Sequence, residues 1–229
     1  DDVLGTMIPS PRTTWALSDL TNQLFFDFTD LKPGDIGEDT ISLHVTNNPA
    51  WACVDIDITK NDDMTCTEPE LTDDGTCLPT PTDTNLFDGE LAQNLNFIFW
   101  NDDGDNVLEQ EENVLTKGPA SNVLNDVTWT LADSEDNNLG GVDGNPIDGS
   151  RTYYIGKAWC FGDIGPAPLP QNGPFDPQNP NGPVVRGPGV SCTGGSVISN
   201  ASQTDSLMAD ISFRAVQSRN NPNFICQVD

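Results

Sequence analysis

The chain is poor in histidine and in bases. His44 is the only histidine, and nine Lys and Arg stand against 36 Asp and Glu, a formal charge of −27 over 229 residues. A single histidine excludes an HExxH zinc peptidase, which needs a histidine pair. A Ser-His-Asp triad would have to use His44, and no serine sits in a nucleophile elbow. None of the acids is singled out as the carboxylate pair of a glycoside hydrolase. The chain is therefore not expected to be an enzyme. The shortage of bases disfavours nucleic acid and anionic lipid as partners, because such a chain repels both. No run of 18 apolar residues occurs, so no membrane-spanning helix is expected. No signal peptide is legible, so an exported chain would be a processed form.

The six cysteines contain no CxxC pair, which argues against zinc and for disulfides in an oxidising, extracellular compartment. Spacing alone does not choose among the fifteen connectivities open to six cysteines. The expected pairing joins Cys66 to Cys77 across a short turn-rich segment and Cys160 to Cys192 across a Pro/Gly-rich excursion. Cys53 and Cys226 remain, tying an early strand to the C-terminus. Free buried thiols are the alternative.

The strand signals are clear. Pro33-Gly34 marks a tight turn, since proline presets φ and glycine accepts the positive φ that follows in a type II turn. Ile41, Leu43 and Val45 then alternate with Ser42, His44 and Thr46, a strand with one buried face. Asn48-Pro49 breaks the pattern, and Val54, Ile56 and Ile58 resume it, so residues 25–58 predict a β-meander. Leu95–Trp100 is apolar on both faces and predicts a doubly covered strand. Val127, Trp129 and Leu131 share one face of another, and 152–161 is a third. Leu207–Gln217 alternates over its whole length and predicts a long central strand. Residues 86–93 predict a helical turn. Trp15, Trp51, Trp100, Trp129 and Trp159 fall mostly in strand patterns and are expected in the core. His44 falls on the polar phase and is expected at the surface, facing a neighbouring strand.

These signals predict one all-β domain over residues 15–229, a jelly-roll or β-sandwich with few short helical turns and long loops at 60–90, 132–150 and 162–191. Residues 1–14 stand apart. Val3, Leu4, Met7 and Ile8 form an apolar strand-like stretch, and Pro9 and Pro11 hold the chain extended after it. The segment is either an edge strand of its own sheet or an arm.

The sharpest chemical motif is NDDGDNVLEQEE, residues 101–112. With Asn101 as position one, oxygens fall at Asn101, Asp103 and Asp105, a backbone carbonyl at Val107, and carboxylates at Glu109 and Glu112. That is the ligand spacing of a twelve-residue calcium loop. It departs from the usual pattern at Asn101, normally Asp, and at Asn106, normally Gly, although Asn tolerates the left-handed conformation. Oxygen ligands in this number suit Ca²⁺. A merely acidic turn is the alternative. Asp133, Glu135, Asp136, Asp143 and Asp148 crowd a second loop without firm spacing, which a solvated loop also explains. Asn200-Ala201-Ser202 is a glycosylation sequon.

The corner LKPGD at 31–35 with its alternating strand, AWAC at 50–53, FWNDDGDNVLEQEE at 99–112 and SFRAVQSRNNPNF at 212–224 together resemble the TasA/camelysin family of SipW-dependent secreted proteins. The resemblance extends over most of residues 25–226. It implies a jelly-roll that polymerises into extracellular fibres of a biofilm matrix, with the N-terminal segment of one subunit inserted as a donor strand into the next. On that implication Val3, Leu4, Met7 and Ile8 are donor-strand residues, and the partner is another copy of the chain. Peptidase activity, described for some members, does not carry over, since no histidine pair is present. The other expected reading is a monomeric surface adhesin or carbohydrate-binding module.

Overall fold

The computed structural model describes residues 31–78 and 85–227. The arm at 1–14, with Val3, Leu4, Met7 and Ile8, lies outside the described residues, as do Trp15 and the start of the expected meander.

The corner at Pro33-Gly34 forms as the sequence predicts. The Asp35 amide donates to the Lys32 carbonyl at 2.9 Å, and Gly34 takes φ +96°. β1 (Ile36–Val45) follows and pairs antiparallel with β6 (Arg151–Phe161). β6 pairs with β3 (Leu95–Asp102), and β3 with β4 (Val114–Pro119). The second sheet has β2 (Ala50–Asp63) between β5 (Val127–Ala132) and β9 (Asp205–Gln217). The fold is an all-β sandwich with a few short helical turns.

The two sheets close over one core. Val54, Ile56 and Ile58 of β2 meet Phe97 and Phe99 of β3 and Tyr153 and Ile155 of β6. The Phe99 ring meets Trp129 edge-on at 4.4 Å between centroids, a favoured aromatic geometry. β3 is covered on both faces, as its sequence predicts. Its other face places Ile98 and Trp100 in a smaller cluster with Leu108, Ala158, Ile164 and Val190. The last two belong to a short hairpin of β7 (Asp163–Pro166) and β8 (Val190–Thr193). Trp51, Trp100 and Trp159 are buried, and Trp129 is half-buried.

Several expectations need correction. The meander does not form, because β1 and β2 lie in different sheets. Residues 46–49 turn the chain across the sandwich, and the Ala50 amide and carbonyl pair with Ile147 instead of β1. The long strand at 207–217 is not central among the described residues. It pairs with β2 alone, and β2 is the middle strand. β2 also runs on to Asp63, into the segment expected to be loop, and α1 (Glu70–Asp73) follows it. The helical turn lies later than predicted, at α2 (Leu91–Asn94), and a further turn, α3 (Ala120–Val123), follows β4. The 162–191 excursion is loop only between its paired ends, β7 and β8, and contains α4 (Pro183–Arg186).

Three disulfides staple the sandwich: Cys53–Cys226, Cys66–Cys77 and Cys160–Cys192, with Cα separations of 5.8, 5.5 and 5.5 Å. They fit an oxidising compartment. Among the described residues no helix is long and apolar enough to cross a membrane.

Gly156 faces Trp100 across the β3–β6 ladder, and a methyl at 156 would overlap the indole. Gly156→Ala is expected to cost about 1–3 kcal/mol by overpacking. Chemical denaturation read by tryptophan fluorescence checks this.

Candidate metal centre

The acidic loop grows from the end of β3. Ile98 and Trp100 anchor the strand, and Leu108 returns the loop to the same cluster. Between these anchors the backbone bends at Gly104 (φ +113°) and Asn106 (φ +63°). Asn106 thus adopts the left-handed conformation at the sixth position. The Asp102 carboxylate accepts from the amides of Gly104 and Asn106, both at 3.1 Å, and from the Trp100 indole at 3.3 Å. Asp105 accepts from the Val107 amide at 2.9 Å. Glu112 reaches back and accepts from the amides of Asp103 (2.8 Å) and Glu109 (2.9 Å).

The carboxylates gather in two overlapping groups. Asp102, Asp103 and Glu112 form one, and Asp103, Asp105 and Glu109 the other, each with ligand atoms within 4.8 Å of one another. Of the six residues picked by spacing, Asp103, Asp105, Glu109 and Glu112 come together. The side-chain nitrogen of Asn101 lies beside Gly140. Asp102, which the twelve-residue spacing skips, belongs to the first group. Val107 is fully buried, and its amide binds Asp105.

The excursion after β7 folds over this loop and supplies a base. Arg186 of α4 donates to Asp105 at 3.1 Å and to Glu109, while its other terminal nitrogen donates to the Pro170 carbonyl at 2.6 Å. Gln171 donates to Glu109 at 2.6 Å, and Asn181 to Asp105 at 3.3 Å. The guanidinium therefore neutralises the Asp105–Glu109 side. On the Asp102–Asp103–Glu112 side no base among the described residues forms an ion pair, although Arg186 acts on Asp103 through space, and Asp103 Oδ1 is buried without a partner. Glu38 of β1 adds a further carboxyl group beside Asp102 and Asp105, with both oxygens buried and unpartnered.

Spacing did not point to Arg186, Gln171 or Glu38. One signal was available: Arg186 is the only base between residues 162 and 191. Asp102 was hidden by the twelve-residue template, which skips it.

Burial first, then mutual repulsion, holds these acids above their ordinary range. Glu38 is pushed up to about 9 and Glu112 to about 8. Burial likewise raises Asp105 to about 7 and Asp102 to about 6. A divalent cation reverses this logic by stabilising the ionised form. Hard oxygen donors on one side of the loop fit Ca²⁺.

The other nominated residues have local structural roles. Burial alone would raise the Asp133 pKa, but the amides of Glu135, Asp136 and Cys226 and the Thr130 hydroxyl donate to it and hold it low. Asp143 accepts from the Asn137 amide, and Asp148 pairs with Arg151. Asn200 is exposed, and its side chain donates to Asp73 at 2.8 Å. His44 is exposed, with its ring nitrogens 3.1 and 3.2 Å from the hydroxyls of Ser42 and Thr152. A triad would need a carboxylate in place of one of them.

Two predictions follow from the charge balance. In chelator, stability should fall as pH rises from about 4 to 8, because folded Asp102, Asp105 and Glu112 hold protons that the unfolded chain has released. Saturating calcium should flatten the fall, so the gain in melting temperature grows with pH. Calorimetry across that range checks it, and superimposable curves would refute the cation. Separately, Arg186→Gln should destabilise the chelated protein by on the order of 3 kcal/mol by leaving two buried carboxylates uncompensated. Added calcium should recover part of that loss in the same measurement.

No protein-family model matches the chain, and comparison with curated proteins finds no match.

Proposed function

We propose that this chain is the subunit of an extracellular filament, assembled head-to-tail when the N-terminal arm of one copy adds as a strand to the sandwich of the next. The observation that carries the reading is the side of the sandwich where β4 and β5 face each other. Each is an edge strand among the described residues. Between them lies a cleft of about 540 Å³ with Leu115, Trp129 and Leu131 on its wall. An added strand needs a free edge for its backbone and pockets for alternate side chains. Residues 3–8 span about 20 Å when extended, the length of the six-residue β4 and β5. Val3, Leu4, Met7 and Ile8 supply the apolar side chains.

The resemblance to the TasA/camelysin family points the same way, and three disulfides suit a secreted, surface-exposed life. Calcium bound by Asp102, Asp103 and Glu112 would fix the loop that follows β3 and leads into β4. A head-to-tail contact of this type does not close on itself, so it propagates as a fibre.

The same cleft also carries Asn113, Asn137 and Asn138 beside Trp129. An aromatic face with amide donors favours a second reading, a carbohydrate-binding surface.

Removal of residues 1–11 separates the two. The filament reading expects folded monomers with an unchanged circular-dichroism spectrum and no fibres in negative stain. Fibres of normal appearance from the shortened chain would overturn it. Sugar binding by a chain that never polymerises would favour the second reading.

A further inference from the structure

A second group of acids lies at the far end of β2, about forty residues before the loop already described. Asp63 ends β2 and sits opposite Asp205, the first residue of β9. Glu90 reaches the same point from the turn before α2, and the three carboxylates have ligand atoms within 4.8 Å of one another. Asp74, Asp88 and Glu70 stand near enough to act on Glu90 electrostatically. Glu70 and Asp74 are carried by the ring that Cys66–Cys77 closes. Four separate stretches of chain thus aim acids at one place.

Each hydrogen-bonded acid commits one oxygen locally and leaves the other. Asp205 Oδ2 accepts from the amides of Glu90 (2.7 Å) and Leu91 (2.9 Å). Asp74 Oδ1 accepts from the amide and hydroxyl of Thr76 at 2.8 and 2.7 Å. Glu70 Oε2 accepts from the Thr67 amide (3.2 Å) and the Thr204 hydroxyl (3.0 Å). The remaining oxygens of these three, with Asp63 Oδ1, Asp88 Oδ1 and Glu90 Oε2, are buried and receive no N–H or hydroxyl donor, and Asp63 lies within hydrogen-bond reach of two other carboxyls, Asp205 and Asp74. Asp63 is 9% exposed, Asp74 8% and Glu70 0%. A buried polar atom without a partner costs about 1–3 kcal/mol, more when charged. Natural folds rarely leave one, let alone a set facing a common point.

Among the described residues no base neutralises them. Lys60, on the same strand as Asp63, pairs with Asp62. No ion pair among the described residues reaches any of the six acids. The arrangement differs from the loop at 102–112, where Arg186 does part of that work.

We propose that Asp63, Glu90 and Asp205, with Asp74 and Asp88 beside them, hold a second calcium ion that fastens the Cys66–Cys77 ring to the β2–β9 ladder. Oxygen donors alone, in this number and from separate segments, match the six to eight ligands and flexible geometry of Ca²⁺. Mg²⁺ demands tighter octahedral geometry and keeps its waters, so it should compete poorly. The site is independent of the filament reading and of the ion at 102–112.

The test counts ions. The full chain is stripped with chelator and titrated with CaCl₂ in an isothermal calorimeter. Asp63→Asn with Asp205→Asn should lose one bound ion per chain, while Asp103→Asn with Glu112→Gln should keep it. Glu90→Gln, on an irregular segment, is the second variant in case the double change unfolds the ladder, and should weaken that ion at least about tenfold. Calcium should also protect residues 64–90 from protease in the loop variant and not in Glu90→Gln. Unchanged stoichiometry and affinity in folded Glu90→Gln, or protection that ignores Glu90, overturns the proposal. Loss of the ion only in the loop variant overturns it as well and leaves the first site standing.

Discussion

Repulsion among carboxylates is what this fold has to contain. Of the 36 acids behind the formal charge of −27, Asp63, Glu70, Asp74, Asp102, Asp105, Glu109 and Asp133 are buried. The chain meets the difficulty in several ways. Where an acid caps a turn, as Asp133 does, backbone amides take the charge. Where it faces the interior beside a base, the two pair. Lys157, 1% exposed, meets Asp39 at 2.9 Å, and Arg186 spans Asp105 and Glu109. Where neither is available, at Asp63, Glu90 and Asp205 or at Asp102 and Glu112, burial raises the carboxyls above their ordinary range. Burial holds Asp205 and Glu112 up at about 8. Those are the places at which a doubly charged ion has most to offer.

The long loop between β7 and β8 is best understood as an answer to the same constraint. The stretch from 167 to 189 carries much proline and glycine, and its composition says only that it is not a helix. In the fold it lays Gln171, Asn181 and Arg186 across the acidic loop and stitches its backbone to Leu108 and Gln110. The ring at 66–77 does the opposite at the Asp63 end of β2, bringing the further acids Glu70 and Asp74 to Asp63.

Local periodicity made the strands legible. Leu95–Trp100, Val127–Leu131 and 152–161 are strands because their alternation or double-sided apolarity demands burial, and the Pro33-Gly34 corner follows from two backbones with opposite φ preferences. Sheet assignment was not legible. A four-residue connection such as 46–49 serves equally for a hairpin or for a change of sheet, and only the partner of Ala50 decides. The length of β9 suggested a middle strand, yet alternation reports burial of a face and says nothing of neighbours along the edge. The loop at 101–112 showed itself because its acids lie close in sequence. The group at Asp63, Glu90 and Asp205 could not, since its members are drawn together only by the β2–β9 register.

The bond between Cys53 and Cys226 sets how this molecule carries load. It joins the middle strand of one sheet to the last described stretch of chain, across 173 positions. Tension applied between the N-terminal side and the C-terminus would run through β1 and the crossing at 46–49 to Cys53, then pass directly to Cys226. Residues 54–225, which contain both acidic centres, the other two disulfides and most of the core, lie outside that path. Pulled from its ends, the chain can peel β1 from β6, but it cannot unravel the rest while the crosslink holds.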